Sequence, residues 1–116
     1  MTTTQRNILS GVIEPEMSFR EKVWAVTARI PKGKVVTYGD IAKALGSSAS
    51  RAVGTAMAVN PYIPDVPCHR VVRSSGSLGE YAYGQDKKAE LLASEDVEVT
   101  NGRIDLKQYR YELASI

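Results

Sequence analysis

The one cysteine and the one histidine of this chain are neighbours, Cys68 and His69, inside Pro67-Cys68-His69-Arg70-Val71-Val72. A thiol beside an imidazole is the pairing that a thiolate nucleophile and its general base require. The thiolate is the reactive form, and a free cysteine with a pKa near ~8.5 holds little of it at neutral pH. A base close at hand changes that. Adjacency also restricts the geometry: in an extended strand the two side chains would point to opposite faces. A turn or a bridging water must therefore connect them, and Pro67 is suited to make the turn. The competing reading is a small buried cysteine beside a polar strand residue, since free cysteines are usually buried and inert.

The elements that must position this pair are readable in outline. Residues 1–17 lack clear periodicity, contain Pro15, and read as an arm or short irregular segment. Ser18-Phe19-Arg20-Glu21 fits a capping box, after which Phe19, Val23, Val26 and Ile30 recur at helical spacing until Pro31. Val35-Val36 is a short extended piece. Thr37 caps a second helix that Gly46 ends. Ser47 or Ser48 caps a third, Ala49 to about Val59, terminated by Asn60-Pro61. Two short helices joined by a tight glycine-containing turn describe a helix-turn-helix.

The third helix is rich in small residues, and Arg51 is its only charge. A major-groove reader normally offers several long polar side chains. This helix instead suits close approach to a narrow groove with Arg51 as a wedge, or equally close helix–helix packing. Beyond the Cys-His motif, His69 to Val72 reads as a strand. Gln85 to Glu95 reads as a helix with Ala89, Leu91 and Leu92 buried. Asn101-Gly102 marks a hairpin flanked by Val97, Val99, Ile104 and Leu106, a candidate wing.

Composition sets the bounds. The 116 residues make one small domain that can bury a core, with 24% charged and 43% hydrophobic residues. One cysteine forms no internal disulfide, and with one histidine it makes no structural zinc site. No apolar run is long enough for a membrane span and the polar start is unlike a secretory signal, so a cytoplasmic protein is expected. Net charge is only +2, but positive residues gather at Arg29, Lys32, Lys34, Arg51, Arg70 and Arg73.

Residues 19–95 resemble the C-terminal, active-site domain of the O6-alkylguanine-DNA alkyltransferases. The resemblance is carried by ordered blocks: Gly33 to Asp40 (GKVVTYGD), Ser50 to Met57 (SRAVGTAM), Asn60-Pro61, Pro67 to Val72 (PCHRVV), and Gly79-Glu80-Tyr81 ahead of Leu91 to Glu95 (LLASE). It implies a mainly α domain with small β elements, a winged helix-turn-helix-like DNA-binding fold over residues 18–116, preceded by an arm at 1–17. It also implies an activity: single-turnover transfer of an alkyl group from O6-alkylguanine in duplex DNA to Cys68 after base flipping. His69 would withdraw the thiol proton through a water, with Glu95 orienting and charging the imidazole. Asn60 would tie the recognition helix to the active-site turn, and Tyr38 would handle the flipped nucleotide. Met57, Val71, Tyr81 and Ala82 would line or contact the guanine, and Arg51 would fill the gap in the stack. Thr37, Tyr38, Ser50, Arg51, Ala52 and Gly54 would face the DNA minor groove.

The family's N-terminal domain has no counterpart in the 18 residues before Phe19, so no metal or other cofactor is expected. Where the family commonly has a small residue and then two glycines, this chain has Ala82-Tyr83-Gly84, and Ile63-Pro64 shifts a pocket-lining proline by one position. A monomer acting on DNA, with repair proteins as further partners, is expected. The main alternative is a lesion sensor like the alkyltransferase-like proteins, which are equally short but replace the acceptor cysteine. A winged-helix module with an inert cysteine and a Cys-His hydrolase are further readings.

Overall fold

Alternating side chains on two short strands divide the interior in two. The computed structural model describes residues 1–115. In it β1 (Val36–Thr37) runs parallel to β2 (Val71–Val72), with Val36 opposite Val71 and Thr37 opposite Val72. Because successive strand side chains face opposite ways, Val36 and Val71 enter one core while Val35 and Val72 enter another. The first core collects Val23, Val26, Ile41, Val53 and Ala56 from α2 (Phe19–Thr27), α3 (Tyr38–Ala44) and α4 (Ser50–Ala58). The second gathers Leu78, Leu92, Val97 and Ile104 around α5 (Gln85–Ser94). A last helix, α6 (Leu106–Tyr109), leads into a C-terminal segment lying along β1.

The helix starts follow from local chemistry. At α2, Ser18 Oγ accepts from the Glu21 amide while the Glu21 carboxylate accepts from the Ser18 amide; Thr37 and Asp40 repeat the arrangement at α3. Gly46, at φ +70°, ends α3. Its amide donates to the Lys43 carbonyl and the Ser47 amide donates to that of Ala42, the paired bonds of a left-handed C-cap. The helix-turn-helix and the mainly α architecture are as expected.

Several expectations are corrected. Residues 3–9 are not irregular but form α1 (Thr3–Leu9), closed by a Thr2–Gln5 capping box. It escapes pattern reading because one fully buried side chain, Ile8, anchors it to Met17 and Val66. Phe19 stands 37% exposed, so the apolar face of α2 begins at Val23. Neither Ser47 nor Ser48 caps α4. Its N-cap is Ala49, without a side-chain bond, and Ser47 Oγ accepts from the Ala49 amide one step too early. The expected strand from His69 is a 3-10 turn over Cys68–Arg70, and extended backbone starts only at Val71. The wing is reduced to isolated bridges. Asn101 and Gly102 take the expected positive φ, but the Ile104 amide donates to Gly76 and the Leu78 amide to Gly102. The hairpin therefore closes through the single Thr100–Arg103 pair, which exchanges both backbone bonds, while its second arm also pairs with 76–78, and Leu106 opens α6 instead of ending a strand.

Candidate active site

The 3-10 turn solves the adjacency problem. With three residues per turn, successive side chains diverge by roughly 120° rather than 180°. Pro67 starts it: the Cys68 amide donates to the Val66 carbonyl at 2.8 Å and the Arg70 amide to the Pro67 carbonyl at 2.9 Å. Cys68 thereby lines an open cleft of about 830 Å³ while His69 turns inward, 3% exposed.

His69 Nε2 lies 3.0 Å from Glu95 Oε2, at the C-cap of α5. Arg70 grips the same carboxylate with two bonds, Nε to Oε1 at 2.9 Å and Nη2 to Oε2 at 2.7 Å, while its Nη1 donates to the Ile30 carbonyl. Although burial opposes ionisation, the bonds from Arg70 and His69 hold the Glu95 carboxyl below its usual range, so it is a carboxylate. It can only accept, which fixes the imidazole proton on Nε2 and leaves Nδ1 as an acceptor. Nδ1 is buried and has no hydrogen-bond partner among the described residues. Burial pulls the His69 pKa down despite Glu95, and burial pushes the Cys68 thiol up despite Asn60 and Lys88. The resting pair is a neutral imidazole and a protonated thiol. The cysteine is therefore not ionised at rest, because burial outweighs Asn60 and Lys88.

Asn60 closes the turn from behind. Its Nδ2 donates to the Val66 carbonyl at 3.1 Å and its Oδ1 accepts from the Tyr62 amide at 2.9 Å, joining the end of α4 to the residues entering the Cys68 turn. Trp24 Nε1 bonds the Ala56 carbonyl and fixes the same helix against α2.

Of the residues singled out from the sequence, Tyr38, Ser50, Arg51, Gly54, Met57, Cys68, Tyr81 and Ala82 share the cleft wall. His69, Glu95 and Asn60 stand behind Cys68. The Thr37 side chain is buried and spent on capping α3, Ala52 is exposed on α4 but outside the cleft wall, and Val71 is buried in β2. Burial raises the Tyr38 phenol pKa, so its hydroxyl remains a donor. Gly79, at φ +75°, admits it: a Cβ there would meet the Tyr38 hydroxyl at 3.1 Å. Tyr81 presents its ring edge-on between His69 and the 66%-exposed Tyr83.

Sequence reasoning missed two residues. Arg70 is one. The other is Lys88, fully buried on α5, whose Nζ donates to the Val71 carbonyl at 2.7 Å and the Glu80 carbonyl at 3.1 Å and lies 5.9 Å from the Tyr38 ring centroid. Burial without a carboxylate partner brings its pKa down to about 8. A signal existed, since Lys88 precedes the buried Leu92 by four residues and shares its helix face. Among the described residues, no group of three or more His, Cys, Asp and Glu side chains gathers as a metal site, and no helix is long and apolar enough to cross a membrane.

Comparison with known proteins places this geometry. The family model described as 6-O-methylguanine DNA methyltransferase, DNA binding domain, matches residues 18–97. A methylated-DNA–protein-cysteine methyltransferase of Methanosarcina acetivorans is 49% identical over 66% of this chain and 50% of its own length. A DNA base-flipping protein of Escherichia coli is 40% identical over 85% of this chain and 78% of its own. A bifunctional methyltransferase/endonuclease of Picrophilus torridus is 44% identical over 77% of this chain, which spans only 30% of that protein. Among solved structures, S. pombe Atl1 in complex with damaged DNA containing O6-carboxymethylguanine superposes with a TM-score of 0.74 at 32% identity, covering 81% of this chain and 94% of that one.

Proposed function

The chain belongs to the 6-O-methylguanine DNA methyltransferase family, and from that premise we propose that it removes the alkyl group from O6-alkylguanine in duplex DNA by taking it onto Cys68, once per molecule. The observation that carries this reading is the Cys68 thiol lining the cleft with a buried His69–Glu95 pair directly behind it.

The chemistry proceeds in steps these residues can perform. The target base leaves the stack, at a cost of a few kcal/mol. Arg51, exposed on the small-residue face of α4 at the cleft rim, fills the gap behind it. Tyr38, Met57, Tyr81 and Ala82 bound the guanine. One water joins the thiol to His69 Nδ1. The thiol proton moves through it to the imidazole, and Glu95 stabilises the imidazolium as Cys68 becomes a thiolate. Sulfur then attacks the alkyl carbon: the S–C bond forms, the C–O6 bond breaks, and the electron pair leaves with guanine, which takes up a proton. The Tyr38 hydroxyl donates to the leaving base. Held in line, the thiolate needs little further help. The product thioether is stable, so the protein is consumed.

A second reading is favoured by the likeness, over 78% and 94% of their respective lengths, to the base-flipping protein and to Atl1. In it the chain flips and holds the lesion without transfer and passes it to repair proteins. The retained Cys68, His69 and Glu95 favour transfer. We place the protein in the cytoplasm as a monomer on duplex DNA. Transfer counted under excess O6-methylguanine duplex tests the two readings: one methyl per protein and then arrest supports transfer, while binding with no methyl moved supports the sensor.

A further inference from the structure

The Asp40 carboxylate serves two masters. It closes the α3 capping box by accepting from the Thr37 amide at 3.0 Å, and it accepts from Arg110, seventy residues away, through Nε at 3.0 Å and Nη2 at 2.6 Å. Backbone pairing delivers Arg110. The Val35 amide donates to the Tyr109 carbonyl at 2.9 Å and the Tyr111 amide to the Val35 carbonyl at 2.8 Å. Residues 109–111 therefore run parallel to the entry of β1, on the edge opposite β2. Tyr111 and Leu113 press this strap onto the first core. The chain entering β1 thus lies between the strand that follows the Cys68 turn and a C-terminal strap outside the matched family region, residues 18–97.

Stability alone does not account for the Asp40–Arg110 pair. The Arg110 side chain is 50% exposed, and ion pairs in such settings contribute little. Its place is more telling. Asp40 stands one residue beyond Tyr38-Gly39, which line the cleft, and an uncompensated carboxylate there faces an approaching phosphate backbone within a Debye length. We propose that Arg110 is a positioning residue for duplex engagement: from the C-terminal strap it cancels the Asp40 charge, so that DNA can close on the cleft rim. This rests on the duplex-DNA reading above.

Full-length wild type, Arg110→Gln, Asp40→Asn and the double variant would be compared for binding to an O6-methylguanine duplex at two salt concentrations, for transfer from free O6-benzylguanine, and for Tm. Arg110→Gln should weaken duplex binding about five-fold at low salt, and less as salt rises, because the effect is a screened charge. Free-base transfer and Tm should change little. Asp40→Asn in the Arg110→Gln background should restore binding, since asparagine keeps the capping acceptor without the charge. Binding by Arg110→Gln equal to wild type overturns the proposal. So does a double variant as weak as the single, which would make Arg110 itself the DNA contact, and so does an equal loss on duplex and free base. Wild type that binds no duplex overturns the duplex reading itself, and the proposal with it.

Discussion

His69 Nε2 and Glu95 Oε2 lie 3.0 Å apart, and the same carboxylate is held on its other side by Arg70. Arg70 keeps Glu95 ionised, so Glu95 holds the imidazole in one tautomer with Nδ1 free to accept. The proposed base is therefore prepared by a residue next to it in sequence acting through one 25 positions from that residue.

The pH dependence of transfer follows. Burial lowers the His69 pKa below 6.5, so the imidazole is neutral at pH 7, and the proposed relay should fail as pH falls through that lowered value. Without it, attack depends on the thiolate fraction, which is small at neutrality because burial raises the Cys68 pKa above 9.0. His69→Ala should slow transfer about a hundredfold at pH 7, with the deficit narrowing as pH nears 9 and again as pH falls through the lowered His69 value. Rates across pH 5.5–9 check this; a constant ratio to wild type would count against the relay.

Lys88 makes stability rise with alkali. Its folded pKa of about 8 lies below the unfolded 10.5, so between those values the unfolded state binds more protons and stability increases with pH. The full span is about 3 kcal/mol. The raised pKa values of Cys68 and Tyr38 act the opposite way above about pH 9. Urea unfolding of wild type and Lys88→Met at pH 7, 8 and 9 isolates the lysine. The difference between the two proteins should shift toward wild type as pH rises, and a constant difference refutes the assignment.

How much was legible follows from how local each feature is. The Ser18 and Thr37 caps, the Gly46 stop and the Asn101-Gly102 turn depend on contacts a few residues apart, and each is visible in the sequence. The Cys68 turn was implied by adjacency and Pro67. Lys88 and Arg110 were not seen because their partners, the Val71 and Glu80 carbonyls and Asp40, are near only in the fold. Likewise α1 depends on one buried isoleucine meeting Val66, which no periodicity announces.

Gly79 joins the cleft wall to Tyr38 at a positive φ. Gly79→Ala combines left-handed strain with a 3.1 Å contact to the Tyr38 hydroxyl, and should destabilise by about 1–3 kcal/mol. Transfer should slow as well, because Tyr38 must move. Thermal unfolding with a parallel rate measurement checks both; an unchanged Tm would show that the wall yields freely.

On the proposed reading Arg51 acts on flipping rather than on alkyl transfer. Arg51→Ala should slow reaction with duplex O6-methylguanine at least about tenfold, the scale of a lost few-kcal/mol contribution to an unstacking step. Reaction with free O6-benzylguanine should be nearly unchanged. Equal losses on both substrates would remove the wedge role.

The most direct measurement is the intact mass of the protein after incubation with excess O6-methylguanine duplex, beside Cys68→Ser. The account predicts a gain of one methyl group, located on Cys68 and absent from the variant. An unchanged wild-type mass together with tight, lesion-selective binding would contradict transfer and make the chain a protein that holds the flipped base without repairing it.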